Sequence, residues 1–168
     1  MDVLYTLVGG DPGSGYSLIM TDWTFTNKTN ETIDLHWFVY TDLDLEETPE
    51  GDIAQFVSPN MIIQTETLPV FTWYYPNPTH WEIALFSDII DKLTDDDADN
   101  LADATSPLGL GEIAFAVQFD IMLAPMGTVM IQCKTQQTPE PSTLLLLCSG
   151  LAGLGLRRGM GKRRSVKS

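Results

Sequence analysis

The densest group of ligating side chains is the acidic run Asp95-Asp96-Asp97-Ala98-Asp99-Asn100-Leu101-Ala102-Asp103. Carboxylates at Asp95, Asp97, Asp99 and Asp103 offer hard oxygen donors of the kind calcium takes from a loop. The match to an EF-hand loop is partial, because Asn100 stands where the turn glycine belongs and Ser106 where a bidentate Glu would close the site. A solvated acidic loop is the plainer expectation, with weak calcium binding as the alternative and no other cofactor expected. A second group is aromatic: Trp73-Tyr74-Tyr75-Pro76-Asn77-Pro78, then His80-Trp81. Sugars stack on such ring faces, so Trp73, Tyr74, Tyr75 and Trp81 are candidates for a glycan-binding edge, and core packing around a proline turn is the competing reading. His36 and His80 are the only histidines. They would act as a metal or acid–base pair only if the fold gathered them with a third group. Apart, they are two partly exposed strand residues, and that is the expectation. There is no Gly-x-Ser-x-Gly elbow, no recognisable Ser/His/Asp order and no Cys/His cluster at zinc spacing. Cys133 alternates with polar neighbours and reads as core. A non-enzymatic protein is therefore expected. A calcium- or glycan-binding module is the first rival, and a secreted hydrolase with converging carboxylates is the second.

Charge narrows the partners. The formal net charge is −14. Up to Thr138 the only basic residues are Lys28, Lys92 and Lys134; the others lie at or beyond Arg157. A body of that sign repels phosphate backbones, so nucleic acid is not an expected partner. With 43% hydrophobic and 19% charged residues, the composition is that of a globular domain.

The elements that must position these groups are strands. From Ile33 to Leu45 every odd position except Thr41 is apolar, which makes one long half-buried strand with Phe38 and Tyr40 on its outer face. Ile113, Phe115, Val117, Phe119, Ile121 and Leu123 share a face in the same way. Trp81 to Leu85 and Val129 to Lys134 alternate too, and Tyr16 to Asn27 should point Ile19, Trp23 and Phe25 inward. Val3 to Val8, Met61 to Thr67 and Val70 to Tyr75 bring the count to about eight. Gly and Pro clusters separate them, among them Ala124-Pro125-Met126-Gly127, where Pro125 suits the second turn position. This spacing predicts an all-β antiparallel sandwich over residues 1–136. One short helix is expected from Ser87 to Leu93, with Ser87 as its cap.

Residues 137–168 differ in kind. Pro139-Glu140-Pro141 is followed by an apolar run from Ser142 to Leu156 and then by a basic end, 157–168, carrying Arg157, Arg158, Lys162, Arg163 and Arg164. Pro141 suits a helix start, and Ser142 or Thr143 can cap it. The run holds seven leucines, each favouring membrane insertion by about 0.5 kcal/mol. As a helix it would span about 22 Å, short of the roughly 30 Å hydrocarbon core, a deficit that snorkelling arginines reduce. Basic residues stay cytoplasmic, which places the acidic body across the membrane.

These three elements in this order resemble the PEP-CTERM sorting signal, also catalogued as the C-terminal domain of ice-binding proteins. The resemblance covers roughly Thr138 to Ser168. Cys148, where a small residue is usual, and the Gly-interrupted basic end depart from the pattern without breaking it. The resemblance implies an exported protein of a Gram-negative bacterium that makes exopolysaccharide. It implies a transient inner-membrane anchor through a C-terminal transmembrane helix. An exosortase would then cut near Pro139, Glu140 and Pro141, leaving the body in the envelope, on the surface or in the extracellular matrix. More weakly, Ala114 to Asp120 leading into Leu123-Ala-Pro125-Met-Gly127 resembles small secreted domains that precede such tails. Met1-Asp2-Val3-Leu4 has neither a basic n-region nor a long apolar stretch, so the export leader is expected upstream of Met1.

Overall fold

The computed structural model describes residues 1–45, 52–58, 60–65, 70–96, 99–105 and 112–138. The chain divides into two units, Met1–Thr138 and Pro139–Ser168. The second unit, with the expected transmembrane helix, lies outside the described residues. Among those described, no helix is long and apolar enough to cross a membrane.

The first unit is a β-sandwich. Its strands are β1 Asp2–Gly9, β2 Ser17–Thr26, β3 Ile33–Asp42, β4 Ile53–Ser58, β5 Met61–Thr65, β6 Val70–Tyr74, β7 His80–Leu85, β8 Ala104–Thr105, β9 Ile113–Leu123 and β10 Thr128–Thr138, with the helix α1 at Phe86–Thr94. One sheet runs β1-β2-β10-β6-β5-β4 and the other β3-β9-β7-β8. Alternation dictates the packing: Phe25, Ile62, Trp73, Ile83, Phe115, Val117 and Ile131 all turn into the space between the sheets. Buried β-branched and aromatic side chains at a period of two are what hold a strand in register.

Two strands exceed the sequence expectation. In β4, apolar residues sit on both faces, with Ala54 buried and Ile53 exposed, so no period of two stands out. β8 is a two-residue parallel ladder against β7, held by position rather than propensity. Three local expectations are also corrected. Ser87 does not cap α1: the helix leaves β7 with no intervening loop, Leu85 stands at the N-cap, and the Phe86 amide donates to the Glu112 carbonyl at 2.9 Å. Phe38 and Tyr40 do leave the sandwich on the outer face, but they are partly buried there, because α1 lays Ile89 and Leu93 over Ala84, Ala114 and Ala116 as a second small core. Ile19 is 41% exposed although Trp23 and Phe25, on the same side of β2, pack against the core. A six-stranded sheet facing a four-stranded one leaves part of its inner face uncovered.

The β2–β3 and β9–β10 turns are tied together by one residue. Asn27, 1% exposed, donates from Nδ2 to the carbonyls of Glu31, Leu123 and Ala124, and its Oδ1 accepts from the Thr29 amide. Gly127 closes the second turn, its amide donating to Ala124 O at 2.9 Å; a Cβ there would meet that same oxygen at 2.9 Å. Met126 takes the positive φ of +55° that the turn requires.

Candidate functional site

A groove of about 590 Å³ lies on the outer face of the larger sheet. Its floor is built by alternation along β10: Gln132, Lys134 and Gln136 point outward while Ile131 and Cys133 point into the core. Register places Tyr74 opposite Lys134, and Asn60 and Pro76 complete one wall. Tyr74 is 37% exposed, so part of its ring is free. The amides of Asn60, Gln132 and Gln136 offer donors and acceptors together, which matches vicinal hydroxyls. Gln132 Nε2 already donates to Asp22 Oδ1 at 2.7 Å. Lys92 pairs with Glu82 at 2.7 Å, whereas Lys134 has no ion-pair partner among the described residues. Volume, one accessible ring and several neutral polar groups are the features of a small-ligand site.

The four aromatic candidates separate in the structure. Trp73 is 6% exposed and packs edge-on against Phe115, with centroids 5.0 Å apart; Tyr75 is 3% exposed. Trp81 turns inward and stacks on Phe56 at 3.9 Å and 5°, so that ring face is taken. Of the four, Tyr74 is the most exposed, with Trp81 half-buried. The reason is the strand period: Trp73 and Tyr74 are consecutive, so one must face the core.

On the outer face of the smaller sheet the two histidines meet at one carboxylate. Across β3 and β9, His36 is the partner of Asp120; across β7 and β9, His80 is the partner of Gln118. His36 Nδ1 donates to Asp120 Oδ1 at 2.7 Å, and His80 Nε2 lies 3.8 Å from Asp120 Oδ2. His80 Nδ1 donates to Asp103 Oδ2 at 2.7 Å, and the Trp81 amide donates to Asp103 Oδ1. Gln118 is fully buried and locks the assembly, donating to Asn100 and Asp120 and accepting from the Leu101 amide. Nothing in the alternation places the two histidines together. The even-numbered outer face was visible in the alternation, but that β9 lies between β3 and β7 was not. A cavity of about 180 Å³ opens beside His36, lined also by Lys92, Asp99, Asn100 and Gln118.

This network sets a pH dependence. The hydrogen bond to Asp120, with the nearby charge of Asp34, holds His36 above its ordinary value of 6.5. Partial burial alone would raise Asp120, but the Gln118 amide, the His36 hydrogen bond and the two imidazole charges outweigh it and hold that carboxyl below 3.8. A raised imidazole contributes stability that is fully present below its unfolded value and lost as pH rises through the folded one. A lowered carboxyl contributes above its unfolded value and loses that contribution as pH falls. The pair is therefore most stabilising between the carboxylate and imidazole ranges. The urea midpoint of the native chain should fall from about pH 6 to about pH 8, and His36→Gln should flatten the fall.

Asp103, at φ +54°, spends both oxygens on His80 and Trp81. The Asp95 amide donates to Asp91 O at the end of α1, and Asp99 lines the smaller cavity; Asp97 lies outside the described residues. Among the described residues, the one gathering of three ligating side chains is Asp42, Asp44 and Glu112, with an oxygen of each within 4.8 Å of the others. Loss of solvent, then the charges of Asp42 and Asp44, raise Glu112. Three such oxygens can accept a hard cation or repel one another, and at Glu112 the repulsion adds to the larger effect of lost solvent. Burial pushes the Cys133 thiol up to about 12, which leaves it no nucleophilic thiolate at neutral pH.

The sorting candidates Pro139, Glu140 and Pro141, and Arg157, Arg158, Lys162, Arg163 and Arg164, lie outside the described residues. Residues 137–159 match the PEP-CTERM protein-sorting motif. That motif marks a chain for exosortase-dependent sorting to the cell envelope. No curated protein matches the chain.

Proposed function

We propose that this chain is a non-enzymatic envelope or extracellular-matrix protein of a Gram-negative bacterium. It is exported, retained in the inner membrane by residues 142–156, and cut by an exosortase near Pro139-Glu140-Pro141. Its β-sandwich then associates with exopolysaccharide. The observation that carries the reading is the sorting motif at 137–159, which begins where the last strand of the sandwich ends. Mass spectrometry of the envelope-associated chain tests it. A new C-terminus close to Glu140 is expected; a chain recovered intact to Ser168 in the cytosol would end the proposal.

The groove around Tyr74 supports the polysaccharide half. An aromatic ring flanked by neutral amides binds sugars by stacking plus hydroxyl hydrogen bonds. Tyr74→Ala is expected to weaken polysaccharide binding about tenfold, equivalent to about 1.4 kcal/mol, with little change in unfolding. Binding measured by tryptophan fluorescence that is equal in both proteins would move the polysaccharide site away from this groove.

A further inference from the structure

We infer that the edge strand β1 joins two copies of this chain into a continuous sheet. Among the described residues β1 ends the six-stranded order, with β2 as its one strand partner. The register with β2 runs unbroken from Asp2↔Thr24 to Gly9↔Ser17, so no bulge twists the edge away. The strand carries no Lys and no Pro, the usual guards of an open edge. Its large side chains are exposed on both faces: Val3, Tyr5 and Leu7 at 39%, 69% and 72% on one, and Leu4 and Val8 at 61% and 41% on the other. Ile19 extends the first face onto β2.

Charge selects a second copy as the occupant. With a net charge of −14 and three lysines before residue 139, two copies repel over most of their surface. Between Asp2 and Asp11 there is no charge at all. A cationic partner would seek the acidic surfaces elsewhere, whereas like anions can approach here. The sequence of β1 is also compatible with itself. An antiparallel two-fold pairing centred on Tyr5 sets Val3 against Leu7, Leu4 against Thr6 and Asp2 against Val8, so apolar side chains meet and no like charges do. Backbone hydrogen bonds along the edge supply the register.

The test is cysteine cross-linking on the full chain in detergent, in a Cys148→Ser background; Cys133 is buried and does not interfere. At the two-fold centre, Tyr5→Cys meets its own copy at a Cα separation of about 5 Å, within disulfide range. Gly9→Cys, where an added side chain meets nothing within 4 Å, would lie about 27 Å from its copy. Disulfide dimer is expected at least about tenfold above the Gly9→Cys level for Tyr5→Cys. Tyr5→Lys should convert the sedimenting dimer to monomer with its tryptophan fluorescence unchanged. Equal cross-linking at both positions, as association through the apolar tail would give, overturns the proposal. So does a native chain that sediments as a monomer across the micromolar range, as it would if a different protein takes this edge.

Discussion

Leu146→Asp combined with Leu147→Asp is expected to release the protein from the membrane fraction in which the proposed anchor, residues 142–156, would hold it. On the insertion scale each leucine contributes about 0.5 kcal/mol in favour, while a central aspartate costs about 3 kcal/mol. Seven leucines therefore supply about 3.5 kcal/mol, and two aspartates reverse that sum, a swing of about 7 kcal/mol. The three glycines in the run leave little reserve. Fractionation should place the variant in the soluble periplasmic or external fraction with Ser168 still present, because a chain that never enters the bilayer is never offered to a membrane-bound exosortase. Retention of the variant in the membrane, with cleavage still occurring beside Glu140, would show that another segment anchors the chain. Neutralising Arg157 and Arg158 should act more mildly, changing orientation rather than affinity, since they sit beside the apolar run and not within it.

Trp73→Ala is expected to lower the stability of the body by about 3–5 kcal/mol. The ring is 6% exposed, lies edge-on to Phe115, and neighbours Phe71 at a centroid distance of 5.8 Å. Its removal leaves a cavity between the sheets where Ile62, its register partner on β5, loses its neighbour. Urea unfolding followed by circular dichroism measures the loss through the midpoint at unchanged slope. A loss below about 1 kcal/mol would mean that the ring is not enclosed. The contrast with Tyr74 is informative: adjacent residues in one strand should divide into a stability phenotype and a binding phenotype, because successive side chains face opposite sides. Loss of polysaccharide binding in Trp73→Ala alone would therefore say nothing about a sugar site.

Much of the sandwich follows from period-two alternation. The odd positions from Ile113 to Leu123 and from Ile33 to Val39 are apolar in the sequence and packed in or against the core in the structure. The tail is legible for a different reason. Residues 137–159 match the sorting motif, and its three elements follow one another along the chain, so no tertiary contact is needed to recognise them.

Pairwise geometry behaves otherwise. Which rings of Trp73, Tyr74, Tyr75 and Trp81 are free, that His36 and His80 share Asp120, and that Asp42 and Asp44 meet Glu112 all depend on which strands are neighbours. Strand order joins residues scores of positions apart, and alternation carries no term for it. β9 lies between β3 and β7, and only through that pairing do the polar outer faces become one network. The sequence alone determined that this is an acidic β-domain bearing a sorting tail, since periodicity, charge and hydrophobicity act locally. The tertiary structure alone decided which side chains converge, since convergence is a property of the pairing.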